Sequence, residues 1–128
     1  MAKINLKKVS PFEHPLCATK DEAIKITEQL QKRMYDLLYL MYAHNKYSLL
    51  IILHGIDTAG KDGTVRHIFS AANPQGMRVY SFKKPTIEES RHDFLWRCHL
   101  YTPERGLATI FNRSYYEEVT TVRVHPEH

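Results

Sequence analysis

The chain has 128 residues, 43% of them hydrophobic, and a formal net charge of +4 at pH 7. That size and apolar content predict one compact soluble domain, and no targeting peptide or apolar stretch of membrane-spanning length is visible, so we expect a cytosolic protein. The positive charge suits a polyanionic partner, whether a nucleotide, polyphosphate or nucleic acid, but its sign alone does not choose among them.

The N-terminal part of the chain is predicted to hold an extended arm followed by a helix. Lysines and prolines among sparse apolar residues make residues 1–18 an arm, able to lie against the domain or to bind an anion. Thr19-Lys20-Asp21-Glu22 has the pattern of a capping box, so we expect a helix over residues 19–44. Apolar residues recur there at three- and four-residue steps, which predicts a core face or an interface: Ala23, Ile26, Leu30, Met34, Leu37 and Met41.

The cysteines and histidines indicate neither a disulfide framework nor a zinc site. Cys17 and Cys98 are far apart and show no C-x-x-C spacing, which fits two reduced thiols with packing roles. The eight histidines are scattered without the spacing of metal ligands. We therefore expect most of them to be surface or helix residues.

A glycine-punctuated segment follows the first apolar run of the chain. Residues 49–53 are five aliphatic residues, typical of a central parallel strand buried on both faces. The spacing of Gly55, Gly60 and Lys61 then matches G-x-x-x-x-G-K, in which backbone amides wrap around phosphate oxygens and the lysine reaches the outer phosphates. Apolar residues at helical spacing continue after it. The pattern predicts a phosphate loop, with a purely structural glycine turn as the alternative.

Two acidic residues of this segment raise the question of a metal ion. Asp62 stands where a serine or threonine hydroxyl normally holds Mg²⁺, so either Thr64 takes that role or the metal is held elsewhere. Asp57 lies within the loop, where a carboxylate beside polyphosphate would add repulsion unless a divalent cation lay between them. The structural alternative is that Asp57 caps its own backbone.

The middle of the chain predicts a second strand and a basic turn. Residues 73–76 have turn composition, and residues 77–82 alternate as a strand should, which completes a β-α-β unit. Lys83 and Lys84 follow at the carboxyl end of that strand, where open α/β sheets place their ligands. They are either phosphate contacts or a solvated basic turn.

A second capping box and a third apolar run follow. Residues 86–89 predict the start of a helix that runs to about Tyr101, with Asp93 and Arg97 four residues apart and able to pair. Pro103 and Gly106 end that helix, and residues 107–111 read as another buried parallel strand.

Three motifs together resemble the polyphosphate kinase 2 family: residues 55–63 (GIDTAGKDG), 92–97 (HDFLWR) and 111–117 (FNRSYYE). The resemblance covers residues from about 20 to 125. It implies an α/β fold of the phosphate-loop kinase type, related to thymidylate kinases, with a parallel sheet and flanking helices. It also implies phosphoryl transfer between inorganic polyphosphate and nucleotides with Mg²⁺, residues 19–128 being part of the kinase domain.

The resemblance assigns roles residue by residue. Lys61 matches the phosphate-loop lysine, Asp57 the loop carboxylate that handles metal or phosphate, and Arg113 a phosphate-binding arginine; these three are the expected catalytic residues. Asn112 stands where many relatives have an Asp that helps to hold Mg²⁺, so Asp57 and Asn112 are the candidate metal ligands. The expected phosphate and nucleotide contacts are Gly55, Ala59, Gly60, Lys61, Asp62, Gly63, Thr64, Lys84, Arg97 and Glu117.

The sequence around Asn112, Arg113 and Glu117 is similar to that of the subgroup often called class III. This subgroup accepts nucleoside monophosphates and diphosphates. AMP and ADP are therefore the expected acceptors. A structural alternative for Glu117 is that its carboxylate complements a helix dipole in the first turn after Ser114.

Members of the family are well over twice as long as this chain, so the resemblance implies that lid helices and further strands lie beyond these residues. We expect weak or absent turnover from this chain by itself, an exposed apolar segment at residues 119–124, and a homo-oligomer or association with a C-terminal half. The alternatives are an ATP-dependent nucleoside monophosphate kinase and a non-catalytic module that binds polyphosphate or nucleotide. No stacking pattern of aromatic residues supports nucleic-acid binding.

Overall fold

The computed structural model describes residues 17–116. Most of the predicted arm, together with Glu117 and residues 119–124, therefore lies outside the described residues. The elements in chain order are helix α1 (Lys20–His44), strand β1 (Leu49–Leu53), helix α2 (Lys61–Phe69), strand β2 (Met77–Ser81), a 3₁₀ turn (Glu89–Arg91), helix α3 (Trp96–His99) and strand β3 (Ala108–Asn112). No helix within residues 17–116 has the length and apolar character needed to cross a membrane.

The three strands form one parallel sheet in the order β1-β3-β2. The last strand of the described chain thus inserts between the first two. Leu53 pairs with Asn112, and Ser81 pairs with the same Asn112 from the other side. All three strands consequently end at one edge of the sheet, which confirms the predicted parallel α/β architecture and brings three loops together there.

Burial is concentrated in β3, whose five residues are all buried. The prediction of a buried strand at residues 107–111 is confirmed with a shift of one residue. The prediction that β1 is a central strand buried on both faces is wrong, because β1 lies at an edge of the described sheet and Leu49 and Leu50 remain 40% and 38% exposed.

An aromatic cluster packs behind the carboxyl edge of the sheet. Phe82 and Phe111 meet edge to face with ring centroids 4.8 Å apart, and Cys98 completes the buried cluster. Tyr80 packs against it, and burial, followed by the Tyr101 hydroxyl, raises the pKa of Tyr80 to about 12. The Tyr80 phenol therefore stays neutral at physiological pH.

The cap that the sequence predicts before α1 is present at Thr19, with the return bond of Glu22 reaching the preceding residue. The Glu22 amide donates to Thr19 Oγ1 at 3.2 Å, and Glu22 Oε2 accepts from the Ala18 amide at 3.0 Å. The predicted apolar stripe of this helix does not enter a core, since none of the residues of α1 is buried. The alternative, an interface, stays a prediction.

The chain divides into two units, Met1–Leu30 and Gln31–His128, and the sheet and both shorter helices belong to the second. Within that unit, the Gln31 side-chain amide donates to the carbonyl of His67 in the last turn of α2. Carbonyls at a helix end lack intrahelical partners, so this contact caps the helix that carries the phosphate loop at its other end.

The segment after β2 departs from the predicted helix. Its capping box is present, because the Thr86 amide donates to Glu89 Oε2 at 2.7 Å and the Glu89 amide to Thr86 Oγ1 at 3.2 Å. The continuous helix to Tyr101 is nevertheless wrong, since His92 is extended and separates the 3₁₀ turn from the short α3. Asp93 Oδ1 accepts from the Leu95 amide at 2.9 Å, and such a local side-chain bond competes with a helical one.

Candidate active site

The segment between β1 and α2 forms a tight loop that needs glycine at two positions. Gly60 has φ +87°, in the left-handed region that side chains disfavour. A Cβ atom on Gly55 would lie 3.1 Å from the Cβ of Ala59, closer than side chains normally pack. The loop is closed by a bond from the Ala59 amide to the Ile56 carbonyl at 3.1 Å. The backbone is therefore wrapped tightly, as a phosphate cradle requires.

Lys61 is the first residue of α2 and folds back over the loop. Its Nζ donates to the carbonyls of Gly55 at 2.7 Å and Ile56 at 2.9 Å. The first amides of a helix have no intrahelical acceptors, so a positive end of a helix dipole and an ammonium group lie together. This combination favours an anion at the start of α2.

Asp57 and Arg113 join the loop to the end of β3. Arg113 Nη2 donates to Asp57 Oδ1 at 2.5 Å, and the two side chains are 41% and 81% exposed. Arg113 and Thr58 both adopt positive φ angles, 68° and 66°, which non-glycine residues disfavour. Such strain persists where the surrounding contacts impose it, and it is concentrated at functional sites.

Asn112 and Asp62 form a second contact between β3 and the loop. Asn112 Nδ2 donates to Asp62 Oδ1, while Asn112 itself is only 8% exposed. The Oδ1 atom of Asn112 is buried and has no hydrogen-bond partner among the described residues. A buried amide oxygen without a partner is costly, and a water or cation would satisfy it.

Two adjoining cavities lie at this edge of the sheet. The first, of about 220 Å³, is lined by the phosphate loop and the end of β3. The second, of about 400 Å³, lies at the ends of β2 and β3 and is lined partly by Lys83 and Lys84. Three residues line both cavities: Asp62, Asn112 and Arg113. The structure thus brings together Asp57, Ala59, Gly60, Lys61, Asp62, Gly63, Lys84, Asn112 and Arg113 of the predicted set.

Thr64 does not line either cavity. Its hydroxyl donates to the Gly60 carbonyl at 3.1 Å, one turn back in α2. Gly55 lies under the loop, where its carbonyl holds Lys61. The hypothesis that Thr64 replaces the missing hydroxyl at position 62 receives no support from this geometry.

Arg97 lies apart from the loop cavity. It is 6% exposed, its Nη1 donates to the Lys83 carbonyl at 2.7 Å, and Glu89 Oε2 lies 3.8 Å from the same nitrogen. Among the described residues, Arg97 forms an ion pair with Glu89, and the Asp93 carboxylate accepts from the Leu95 amide. Arg97 also lines a third cavity of about 220 Å³. Through Lys83, it supports the basic turn from behind.

Sequence reasoning missed several residues of the site. Thr58, Ser81 and Phe82 line the cavities but were not among the predicted contacts. Lys83, which the sequence offered with Lys84 as either a phosphate contact or part of a solvated basic turn, lines the second cavity. The position of Ser81 and Phe82 at the end of a strand is a signal that could have found them. Thr58 gave no signal, since a threonine does not ordinarily predict a left-handed backbone.

The oxygen atoms of the site suit a hard divalent cation. Asp57, Asp62 and the partnerless Oδ1 of Asn112 supply carboxylate and amide oxygens on neighbouring segments. Residues 17–116 contain no group of three or more His, Cys, Asp or Glu side chains that could enclose a metal ion. The arrangement fits Mg²⁺ held by few protein ligands and completed by phosphate oxygens and water.

Comparison with known protein families gives a match to the model for "Polyphosphate kinase 2 (PPK2)" over residues 17–126. The chain is 46% identical over 125 residues to an "ADP-polyphosphate phosphotransferase" of Rhodopseudomonas palustris, covering 98% of this chain and 43% of that protein. It is 44% identical over 105 residues to an "AMP/ADP-polyphosphate phosphotransferase" of Meiothermus ruber, covering 82% of this chain and 39% of that protein.

A solved structure is similar over the whole chain. The crystal structure of polyphosphate kinase 2 from Arthrobacter aurescens TC1 superposes with a TM-score of 0.92 at 36% identity, covering 100% of this chain and 47% of that one. The chain therefore spans less than half the length of each of these similar proteins.

Proposed function

The chain belongs to the polyphosphate kinase 2 family, and from this premise we propose that it moves a phosphoryl group between inorganic polyphosphate and the terminal phosphate of AMP or ADP. The observation that carries the proposal is the pair of adjoining cavities with Asp62, Asn112 and Arg113 in their common wall. Two phosphate chains that meet there would have their reacting groups side by side.

Each cavity offers cationic groups of its own. The loop cavity has Lys61 and the first amides of α2, and the second cavity has Lys83 and Lys84. Arg113 reaches both and is placed to balance the charge on the phosphoryl group in transit. The terminal P–O bond of the donor breaks as a P–O bond to the acceptor phosphate oxygen forms.

The chemistry needs little proton transfer. The acceptor is a phosphate anion at neutral pH, so no general base has to remove a proton from it, and no covalent protein intermediate is needed. Binding of a phosphate chain would exchange the contacts that Lys61 makes with loop carbonyls, and that Arg113 makes with Asp57, for contacts with phosphate oxygens. When bound, Mg²⁺ would neutralise phosphate charge, and Asp57 and Asn112 are its proposed ligands, with Asp62 beside them.

The names of the similar proteins support adenine nucleotides. The proteins from R. palustris and M. ruber are named for ADP and for AMP and ADP. We propose the same acceptors here, with ATP as the product of ADP and as the donor in the reverse direction. Glu117, which lies outside the described residues, stays a candidate nucleotide contact by resemblance.

Cellular setting and assembly are further parts of the proposal. Cys17 and Cys98 are not in a disulfide, which supports a reducing cytosol. Leu37 and Leu40 of α1 are 57% and 51% exposed, which supports association with a second copy or with further chain. We propose no nucleic-acid or membrane partner.

The test is formation of ADP and ATP from AMP, and of ATP from ADP, with long-chain polyphosphate or ATP as donor and Mg²⁺ present. Lys61→Ala should abolish transfer and weaken binding of tripolyphosphate measured by calorimetry, whereas Lys46→Ala, an exposed lysine before β1, serves as the matched control. Transfer from ATP but not from polyphosphate would indicate a nucleoside monophosphate kinase instead. Binding without transfer would indicate either a site that needs the further chain of its longer relatives for turnover or a non-catalytic module.

A further inference from the structure

His54 and Ser114 connect the two chain segments that carry the candidate active site. His54 lies between the end of β1 and the phosphate loop, and Ser114 directly follows Arg113. His54 Nε2 and Ser114 Oγ are 3.0 Å apart. This contact lies immediately beyond the last paired residues of β1 and β3, where the two segments would otherwise separate.

Ser114 is a fixed point in this arrangement. The residue is fully buried, and its Oγ also accepts a bond from the Tyr116 amide at 3.3 Å. A serine hydroxyl has one proton to donate and two acceptor positions, so the oxygen can accept from Tyr116 while its proton is donated to the neutral His54 ring. With the other tautomer of His54, the ring donates instead.

The backbone of Arg113 needs support on both sides. Its φ of 68° is unfavourable for a residue with a side chain. On one side its amide donates to the Leu53 carbonyl at 3.2 Å, which fixes it to β1. On the other side the next residue is Ser114, which is held by His54 and Tyr116. Contacts of the Arg113 amide and of the next residue, Ser114, therefore hold the strained conformation from both sides.

The same contact restrains the start of the phosphate loop. His54 precedes Gly55, whose carbonyl holds the ammonium group of Lys61 at 2.7 Å. The His54 ring meets Tyr116 edge to face, with centroids 5.5 Å apart. The imidazole is therefore oriented by the segment that follows Arg113, and it orients the segment that leads to Lys61.

We propose that His54 and Ser114 are positioning residues that hold the phosphate loop and Arg113 at a fixed separation. Neither residue lines either of the two cavities. They act through Gly55 and Arg113, so that the cationic groups are in place before the anion arrives. This proposal rests on the proposed function of the site as a phosphate-binding centre.

The test is a double-mutant cycle on binding of tripolyphosphate, measured by calorimetry with Ser114→Ala, His54→Phe and the double variant. Each single change should weaken binding about tenfold, as expected for one lost hydrogen bond that orders a site, and the double variant should be no weaker than the singles. His54→Gln, which keeps hydrogen-bonding groups, should restore binding. Thr109→Ala is the matched control, because Thr109 is equally buried in β3 but lines neither cavity; it should change stability only.

A second measurement separates this proposal from the proposed function. In ligand-free protein, the amide resonances of Gly55 and Arg113 should shift in Ser114→Ala and stay in place in Thr109→Ala. If the unaltered protein fails to bind tripolyphosphate, the proposed function is wrong, while these shifts still decide the positioning role. Additive losses in the cycle, or unmoved resonances in Ser114→Ala, would overturn it. If circular dichroism shows that Ser114→Ala does not fold, the binding of tripolyphosphate by His54→Phe and His54→Gln is compared instead, because His54 is exposed. Equal binding by these two variants would overturn the positioning role.

Discussion

Arg113 and Asp57 are 56 residues apart in the sequence, yet the guanidinium of one donates to the carboxylate of the other across the mouth of the loop cavity. The contact pairs two of the residues for which the sequence predicts catalytic roles. It also means that, without a phosphate ligand, the site neutralises part of its own positive charge.

Arg113→Ala should lower kcat for phosphoryl transfer by about 10²–10³-fold, because the group that balances transition-state charge is lost. Arg113→Lys should recover only part of the rate, since an ammonium group lacks the planar, multiply donating guanidinium. Steady-state kinetics with polyphosphate and AMP provide the measurement. Arg78→Ala, which removes an exposed arginine paired with Glu104, is the control, and a rate as low as that of Arg113→Ala there would contradict the assignment.

Substitution by alanine should have opposite effects at two glycines of the loop and helix. Gly60→Ala forces a side chain into the left-handed region and should destabilise the protein by about 1–2 kcal/mol. Gly63→Ala meets no atom within 4 Å and lies within α2, so it should stabilise by up to about 1 kcal/mol. Thermal unfolding of both variants tests this, and a stabilised Gly60→Ala would refute the loop conformation.

Asn112→Asp should make stability dependent on divalent cations. The new carboxylate would face that of Asp62, and the loss of the amide donor together with like-charge repulsion should cost roughly 1–3 kcal/mol in metal-free buffer. Added Mg²⁺ should raise the Tm of this variant more than that of the unaltered protein. Asn73→Asp, in the turn before β2, controls for the added charge, and equal Mg²⁺ responses in the two variants would argue against a cation at Asn112.

Arg97→Met should lower the free energy of unfolding, although Arg97 does not line the loop cavity. The side chain is buried, its guanidinium donates to the Lys83 carbonyl, and it lies 3.8 Å from the Glu89 carboxylate. Glu89 keeps its bond from the Thr86 amide, so the loss of Arg97 should cost roughly 1–3 kcal/mol. Urea unfolding measures this, with the exposed Arg91→Met as control. Unchanged stability combined with lost nucleotide binding would instead support a direct role for Arg97 in binding.

The parts of the fold that the sequence predicted are those specified locally. The three strands, the turn at residues 73–76 and the caps at Thr19 and Thr86 depend on neighbouring residues, and the structure has each of them. The glycine-rich turn between β1 and α2 belongs to the same class, since its glycines and lysine lie within nine residues of one another.

The features that sequence reasoning missed depend on distant residues. Nothing local specifies that β3 inserts between β1 and β2, and therefore nothing local places β1 at an edge. The helix breaks at His92, and the Asp93 carboxylate accepts a bond from the Leu95 amide. The sequence of this segment is compatible with both a continuous helix and this local bond, and the helical spacing of its residues favoured the helix. The contact between Asp62 and Asn112 follows from strand register, which a single sequence does not reveal.

The position of β3 between β1 and β2 makes the candidate active site depend on pairing of all three strands. The loop at residues 55–60 precedes Asn112 by more than fifty residues in the sequence, and its facing wall exists only when the last described strand is paired between the first two. A one-residue slip of β3 would turn Asn112 to the opposite face of the sheet. Affinity for a phosphate ligand therefore depends on the native pairing of β3. A polyanion that contacts both cavities should stabilise the native register relative to a shifted one, because it binds only the native arrangement.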